Sequence, residues 1–109
     1  MQIAYNKLVR DRIPEIIQAD GGRAVTRVLD EDGYRLALLE KLTEEALEAR
    51  EAATGQLAGE LADVLAVLQA IADAHSLTWD EVVAISERKR DERGGFAGRI
   101  FLEFVEQYL

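Results

Sequence analysis

Residues 57–72, which read LAGELADVLAVLQAIA, are apolar at almost every position, yet they include Glu60 and Asp63. A helix that is apolar on nearly every side is normally buried. Burial of an unpaired carboxylate is unfavourable by several kcal/mol unless the group takes up a proton. The two acids are three residues apart, so they share one helical face and repel each other. The fold must therefore supply these carboxylates with a counter-charge.

A second long helix precedes this stretch. Leucine and alanine recur at steps of three and four residues, which predicts a helix that begins at residues 30–33 and ends near Ala53. Thr54 and Gly55 interrupt the pattern, and the next helix extends to about His75. Because the break is short, we expect the two helices to form an antiparallel hairpin.

The N-terminal third contains one short helix and one extended segment. Pro14 fits the first turn of a helix over residues 13–20, and Gly21 and Gly22 close it. Residues 23–29, which read RAVTRVL, are rich in β-branched side chains and show no helical stripe. They are predicted to be extended.

The C-terminal third begins with a capping box. Residues 78–81, which read TWDE, predict the start of a helix that continues to Gly94. In residues 99–109, which read RIFLEFVEQYL, alternating apolar side chains favour a short strand that pairs with residues 24–28. A helix also fits this segment through the spacing of Phe101, Val105 and Tyr108.

The composition narrows the class of protein. A chain of 109 residues forms one domain, residues 1–109, and we expect an all-α helical bundle with short β-like segments near both ends. The lack of cysteine excludes disulfides, zinc–thiolate sites and thiol catalysis. No apolar run reaches the roughly 18 residues of a membrane span. The N-terminus lacks the apolar core of a signal peptide, so we expect a cytoplasmic protein with no membrane partner.

Charge is distributed unevenly along the chain. The net charge of −8 argues against nucleic acid as a partner. Residues 28–87 hold fourteen acidic and three basic side chains, whereas residues 1–27 and 88–109 are each slightly positive. The middle of the chain is suited to cations and the ends to anions. Solvation of exposed faces is the common alternative for any one charge run.

The first long helix carries a second pair of spaced acids, Glu45 and Glu48. In an antiparallel hairpin this pair lies at a height similar to that of Glu60 and Asp63, so four carboxylates face one another. Such crowding raises the pKa of at least one member unless a cation is present. Mg²⁺ prefers oxygen ligands, and facing helices of a bundle hold carboxylate metal sites. The sequence therefore predicts a Mg²⁺ site, which Mn²⁺ could also occupy; a solvated acidic face is the alternative.

Basic residues near both ends of the chain suit an anionic substrate. Arginine side chains and the backbone N–H groups of Gly-rich loops commonly hold phosphate groups. The candidates for this role are Lys7, Arg10, Lys89 and Arg93. Alternatively, Gly94 and Gly95 only terminate a helix whose C-terminal end the basic residues stabilise.

These motifs together resemble a known family. The segments EEALE and ELAD resemble the E-x-x-E and E-x-x-D signature of the MazG-like, all-α nucleotide pyrophosphohydrolases. The opening YNKLVRDRIPEII and the closing KRDERGGFAGRIFL are similar to a subgroup described as house-cleaning or phosphoribosyl-ATP-pyrophosphohydrolase-like proteins. The resemblance covers most of the chain.

The resemblance implies an enzyme that uses Mg²⁺ to cleave a nucleoside triphosphate between its α and β phosphates, giving a monophosphate and pyrophosphate. It also implies a homodimer or homotetramer whose sites are completed across the interface. By motif position, the implied metal ligands are Glu45, Glu48, Glu60 and Asp63. Hydrolysis further needs a deprotonated water. The side chains that could accept its proton are Glu44, Glu45 and Glu48.

Two other functions fit part of the pattern. An acidic helical module that binds a basic partner would explain the charge and the amphipathic helices, but not the carboxylates within the apolar helix. An enzyme that acts on phosphoribosyl-ATP would share the metal site, and only a substrate profile would distinguish it. The residues do not fix the base or the sugar of a nucleotide.

Overall fold

The computed structural model describes residues 1–107, which form four α-helices and no strand. This part of the chain is all-α, as predicted. One turn of 3₁₀-helix, Thr54–Gln56, joins the second and third helices. The helices are α1 (Ile13–Ala19), α2 (Glu31–Glu51), α3 (Leu57–Ala74) and α4 (Trp79–Arg93).

Side-chain caps fix where the two capped helices begin. The Asp30 side chain accepts a hydrogen bond of 2.8 Å from the backbone N–H of Gly33 at the start of α2. The Thr78 hydroxyl accepts one of 3.1 Å from the N–H of Glu81 at the start of α4. Each cap satisfies an N–H group that has no partner within its helix. The capping box predicted for α4 is confirmed at Thr78.

Glycines follow the ends of α1 and α4. Gly21 and Gly94 adopt φ angles of +89° and +83°, a conformation that side chains other than glycine rarely adopt. The chain can therefore turn away directly after each helix. The predicted ends of both helices are confirmed.

Helices α2 and α3 form the predicted antiparallel hairpin. Arg35, in the first turns of α2, donates a hydrogen bond of 2.9 Å from Nε to the backbone carbonyl of Ala74 at the end of α3. Near the connecting turn, Glu45 of α2 lies beside Glu60 of α3. The buried apolar side chains of the hairpin are Leu38, Val67 and Ala72.

Much of the apolar surface of the hairpin remains exposed. The exposed leucines of α2 and α3 are Leu36, Leu39, Leu47, Leu57, Leu61, Leu65 and Leu68. A compact protein of 12.1 kDa would expose about 6,000 Å², whereas this chain exposes 10107 Å². The single chain therefore does not cover its own apolar faces.

The predicted β-like segments are wrong for the residues that the structure describes. Residues 24–28 and 99–107 form neither a strand nor a helix, and Val28 and Phe101 are 99% and 88% exposed. An isolated two-stranded ribbon is marginally stable unless one of its faces packs against other apolar surface. No such packing buries these side chains in the single chain. Tyr108, part of the helical alternative for this segment, lies outside the described residues.

None of the helices in residues 1–107 is long and apolar enough to cross a membrane. The most apolar helix, α3, carries Glu60, Asp63 and Asp73 among its 18 residues.

Candidate metal centre

Three carboxylates meet between α2 and α3, close to the turn that joins them. Glu45, Glu60 and Asp63 each place one oxygen so that all three oxygens lie within 4.8 Å of one another. Glu60 and Asp63 share the face of α3 that is turned towards α2, because residues three apart are neighbours on a helix. The antiparallel register brings Glu45 to the same height. We call these three residues the acidic trio.

The trio is short of hydrogen-bond donors. Glu45 is only 7% exposed, which makes it the buried charged residue of the hairpin. Glu45 Oε2 and Glu60 Oε2 are both buried and have no hydrogen-bond partner among the described residues. A buried acceptor without a partner is unfavourable by about 1–3 kcal/mol, and by more when the group is charged. A cation or a proton between these oxygens would remove that penalty.

Lys41 satisfies the outer side of Glu45. Its Nζ lies 3.2 Å from Glu45 Oε1 and 3.3 Å from Glu44 Oε2, within one turn of the same helix. Glu45 therefore has one oxygen paired with an ammonium group, while its other oxygen has no donor in the described part of the chain. This single lysine does not balance the charge of the trio.

Glu48 lies beside the trio and outside it. It follows Glu45 by almost one helical turn, is exposed, and does not belong to the group of oxygens within 4.8 Å. The hydrogen bond that a protonated Glu48 would make to Glu45, and then repulsion from the Glu45 and Glu60 carboxylates, raise the pKa of Glu48 above its usual range. The fourth predicted ligand is thus electrostatically part of the site, although its carboxylate lies further out than the other three.

The N-terminal arm, residues 1–12, reaches this site with two basic side chains. Lys7 Nζ donates to Glu44 Oε1 at 2.9 Å, and Arg10 Nη2 donates to Asp63 Oδ1 at 2.8 Å. The hydrogen bond and charge of Lys7 lower the pKa of Glu44, and the same pair raises the pKa of Lys7. Two of the four predicted phosphate-binding residues therefore lie at the carboxylates.

The other two predicted phosphate-binding residues lie elsewhere. Lys89 and Arg93 are exposed on the second half of α4, and no hydrogen bond or ion pair within residues 1–107 connects them to the carboxylates. In α4, only Trp79 and Val82 are partly buried. The rest of the helix has little packing within the chain, which leaves its basic end away from the site.

The sequence pattern does not predict which acid each basic residue of the arm contacts. Arg10 and Asp63 are separated by 53 positions, and Lys7 and Glu44 by 37. The opposite charges of the two segments indicated attraction between them, but nothing in the local pattern paired these particular residues.

The donor set fits a hard divalent cation. The trio offers carboxylate oxygens only, the ligands that Mg²⁺, Ca²⁺ and Mn²⁺ prefer. The three oxygens lie within 4.8 Å of one another, whereas ligands on opposite sides of an ion are separated by about 4 Å for Mg²⁺ and about 5 Å for Ca²⁺. The unpartnered oxygens of Glu45 and Glu60 add an observation that does not depend on spacing.

Comparison with known proteins gives little further information. No family model matches the chain, and no solved structure matches it. A protein of Mycolicibacterium smegmatis, described as an uncharacterized protein, is 54% identical over 48 residues, which is 44% of this chain. The matched stretch spans about half of that relative, 49% of its length. The relative's description gives neither an activity nor a ligand that could be carried to the acidic trio.

Proposed function

We propose that this protein is a Mg²⁺-dependent nucleotide pyrophosphohydrolase of the MazG-like type, which cleaves a nucleoside triphosphate between the α and β phosphates. The observation that supports the metal dependence is the acidic trio, in which the buried atoms Glu45 Oε2 and Glu60 Oε2 have no hydrogen-bond donor among the described residues. The position of the cleaved bond rests on the resemblance of the EEALE and ELAD segments to that family. A role in clearing unwanted nucleotides follows from the same resemblance.

The metal would be held by the trio, with Glu48 as the nearest further carboxylate. When bound, such an ion neutralises phosphate charge and lowers the pKa of a bound water. Mn²⁺ is the natural substitute for Mg²⁺ at an all-oxygen site.

The chain's own residues would do the remaining work. Glu48 is suited to accept a proton from the attacking water, because its carboxylate is exposed next to the trio. Glu44 is less suited, since Lys7 and Lys41 both bind its carboxylate and the pKa of Glu44 is lowered. Lys7 and Arg10 lie where non-bridging phosphate oxygens would need positive charge.

The experiment that tests this proposal identifies the products. A panel of nucleoside triphosphates with Mg²⁺ should give monophosphate and pyrophosphate in equal amounts, without diphosphate. Glu45→Gln and Asp63→Asn should each abolish turnover, whereas Asp73→Asn, an exposed acid on the same helix, should retain it. Orthophosphate with accumulating diphosphate would overturn the assigned bond.

The same panel of nucleotides, with phosphoribosyl-ATP included, should identify the base and the sugar that the enzyme prefers. That compound shares the chemistry of the cleaved anhydride, so it would use the same trio. A strong preference for it would assign the chain to the phosphoribosyl-ATP-type enzymes.

A second candidate function is a non-catalytic interaction module. It is favoured by the apolar surface of α2 and α3 that the single chain leaves exposed. Measurement of Mn²⁺ binding separates the two candidates, because a pure interaction module needs no stoichiometric metal. Failure to turn over any nucleotide, together with absence of metal binding, would favour the module.

We also propose that the chain forms a homodimer or a homotetramer. The surface that it exposes exceeds that of a compact monomer of its mass by about 4,000 Å². Obligate interfaces commonly bury 2,000–5,000 Å² in total, or about 1,000–2,500 Å² of each chain, so one partner would cover part of this excess and a tetramer would cover more. Such an assembly would offer a route for Lys89 and Arg93 of one chain to approach the trio of another.

A further inference from the structure

The guanidinium of Arg10 contacts an acid that a divalent cation at the trio would also have to bind. Its Nη2 is 2.8 Å from Asp63 Oδ1, and Asp63 is one of the three acids of the trio. A carboxylate oxygen that accepts this hydrogen bond has less electron density to offer a cation, and the positive charge of Arg10 repels that cation. Metal binding and the Arg10–Asp63 ion pair are therefore in competition.

The net charge around the trio indicates how strongly the site attracts a cation while Arg10 is bound. Five carboxylates and three basic groups lie in contact with one another or with the trio, which leaves a local charge of −2. The acids are Glu44, Glu45, Glu48, Glu60 and Asp63. The bases are Lys7, Arg10 and Lys41. One divalent cation balances the site with the arm in place, and each arm residue that leaves increases the attraction for metal.

Of the three basic groups, only those on the arm can leave easily. Lys41 is held by two glutamates of its own helix, and its side chain is 15% exposed. Arg10 belongs to a segment without regular secondary structure, and the Arg10 and Asp63 side chains are 64% and 41% exposed. Exposed ion pairs contribute only about 0–1 kcal/mol. A metal ion can therefore displace Arg10 but not Lys41.

We propose that Arg10 is a built-in competitor of the divalent cation at Asp63, so that metal loading releases the N-terminal arm and frees the Arg10 guanidinium for an anionic, phosphate-bearing ligand. This inference rests on the proposed metal site and adds a regulatory step to it. Without metal, Asp63 holds the N-terminal arm through Arg10. With metal bound, the Arg10 guanidinium is free to bind the phosphate groups of the substrate. Binding of metal and binding of phosphate are thereby coupled through one side chain.

The first test is a Mn²⁺ titration of the full chain, with free Mn²⁺ measured by electron paramagnetic resonance. Arg10→Gln should bind Mn²⁺ about threefold more tightly or better, the gain expected from loss of an exposed ion pair. Arg12→Gln is the matched control, because Arg12 pairs with Glu15 in α1 rather than with the trio. Arg10→Lys keeps the charge and should stay close to the wild-type affinity.

A second measurement follows the arm itself. The chain has no cysteine, so Ala4→Cys, in the exposed part of the arm, gives a single site for a nitroxide spin label. Addition of Mg²⁺ should increase the mobility of the label in the wild-type background. In the Arg10→Gln background the label should already be mobile, and Mg²⁺ should change it little.

The outcomes separate this inference from the metal site on which it rests. If the wild-type chain binds no Mn²⁺, the proposed site is wrong and the inference falls with it. If it binds one ion per chain but Arg10→Gln leaves the affinity unchanged, the site stands and the competition is overturned. A label that Mg²⁺ immobilises, rather than frees, would likewise overturn release of the arm.

Discussion

Lys41 Nζ lies 3.2 Å from one carboxylate oxygen of Glu45, while the other oxygen of Glu45 is buried and has no donor among residues 1–107. The side chain is thus anchored on one side and unsatisfied on the other. Anchoring keeps the carboxylate turned into the hairpin, where Glu60 and Asp63 lie. A ligand that is held in place before the ion arrives loses less conformational entropy on binding.

Removal of an acid from the trio should abolish stabilisation by metal. Mg²⁺ or Mn²⁺ at a hundred times its dissociation constant adds about 2.7 kcal/mol by binding the native state selectively, which corresponds to a rise in Tm of roughly 10 °C for a chain of this size. Glu60→Gln and Asp63→Asn should lose that rise. Both variants should also be at least as stable as wild type in EDTA, because repulsion is relieved. Differential scanning calorimetry measures both quantities.

Asp73→Asn is the control for this measurement, since Asp73 lies on α3 but is not part of the trio. It should keep the full response to metal. An undiminished rise in Tm in Glu45→Gln, Glu60→Gln and Asp63→Asn alike would show that the ion binds elsewhere.

The stability of the metal-free protein should depend on Glu48. The neighbouring Glu45 raises the pKa of Glu48 in the folded chain above its unfolded value, so the folded state holds the proton more firmly. Stability must then fall as the pH rises from the unfolded pKa through the raised folded pKa. Glu48→Gln removes this dependence, and in EDTA it should be more stable than wild type at pH 7.

The comparison is made by chemical denaturation at a series of pH values between 4 and 7, a window that begins near the ordinary pKa of glutamate, about 4.3. The advantage of Glu48→Gln should shrink as the pH is lowered. If Glu48→Gln is more stable than wild type by the same free energy of unfolding at every pH, the charge of Glu48 does not cause the difference.

Lys7→Ala and Arg93→Ala should affect catalysis differently. Lys7 lies at the site in the single chain, so Lys7→Ala should lower kcat/KM about tenfold, in line with loss of a charged hydrogen bond to phosphate. Within residues 1–107, Arg93 forms no ion pair with a carboxylate, so we expect its effect to require a second copy. Mixing Arg93→Ala chains with inactive Glu45→Gln chains should then restore part of the activity.

The steady-state rates of the two single variants and of the mixture provide the check. Retention of wild-type kcat/KM by Lys7→Ala for every hydrolysed nucleotide would remove Lys7 from phosphate binding. If the mixture of Arg93→Ala and Glu45→Gln chains is no more active than the two variants measured separately, Arg93 does not act across an interface.

The exposed leucines of α3 should determine assembly. Leu61→Glu places a charge on a side chain that is half exposed in the single chain, so its effect on an isolated monomer should be small. In an oligomer that buries this face, an unpaired buried charge would cause dissociation. Light scattering coupled to size exclusion should show a smaller species for Leu61→Glu, and an unchanged mass for Glu51→Gln at the end of α2. Wild-type chain that elutes as a monomer would refute the proposal.

The helices and the position of the trio could be predicted because both depend on local spacing. Apolar steps of three and four residues define α2 and α3, and the short turn at Thr54–Gln56 fixes their antiparallel register. Once the register is fixed, Glu45 must lie near Glu60. The caps at Asp30 and Thr78 are equally local, since each involves a backbone N–H three residues ahead.

The remaining features depend on contacts between distant parts of the chain. Alternating apolar residues after Arg99 indicated a strand, but a strand requires a partner and a packed face, and the single chain supplies neither in the described residues. The contact of Arg10 with Asp63 likewise depends on the path of an arm that has no regular structure. Local sequence has no means of encoding that path.

The place of the trio beside the hairpin turn also determines when its charges meet during folding. Loops that are short in sequence close at a lower entropic cost than long ones, so we expect Glu45 and Glu60 to approach each other before Arg35 reaches the carbonyl of Ala74, which is 39 positions away. Repulsion between the acids therefore opposes the first stage of hairpin formation. A divalent cation in the refolding buffer would accelerate that stage, as expected when an interaction present in the transition state is strengthened.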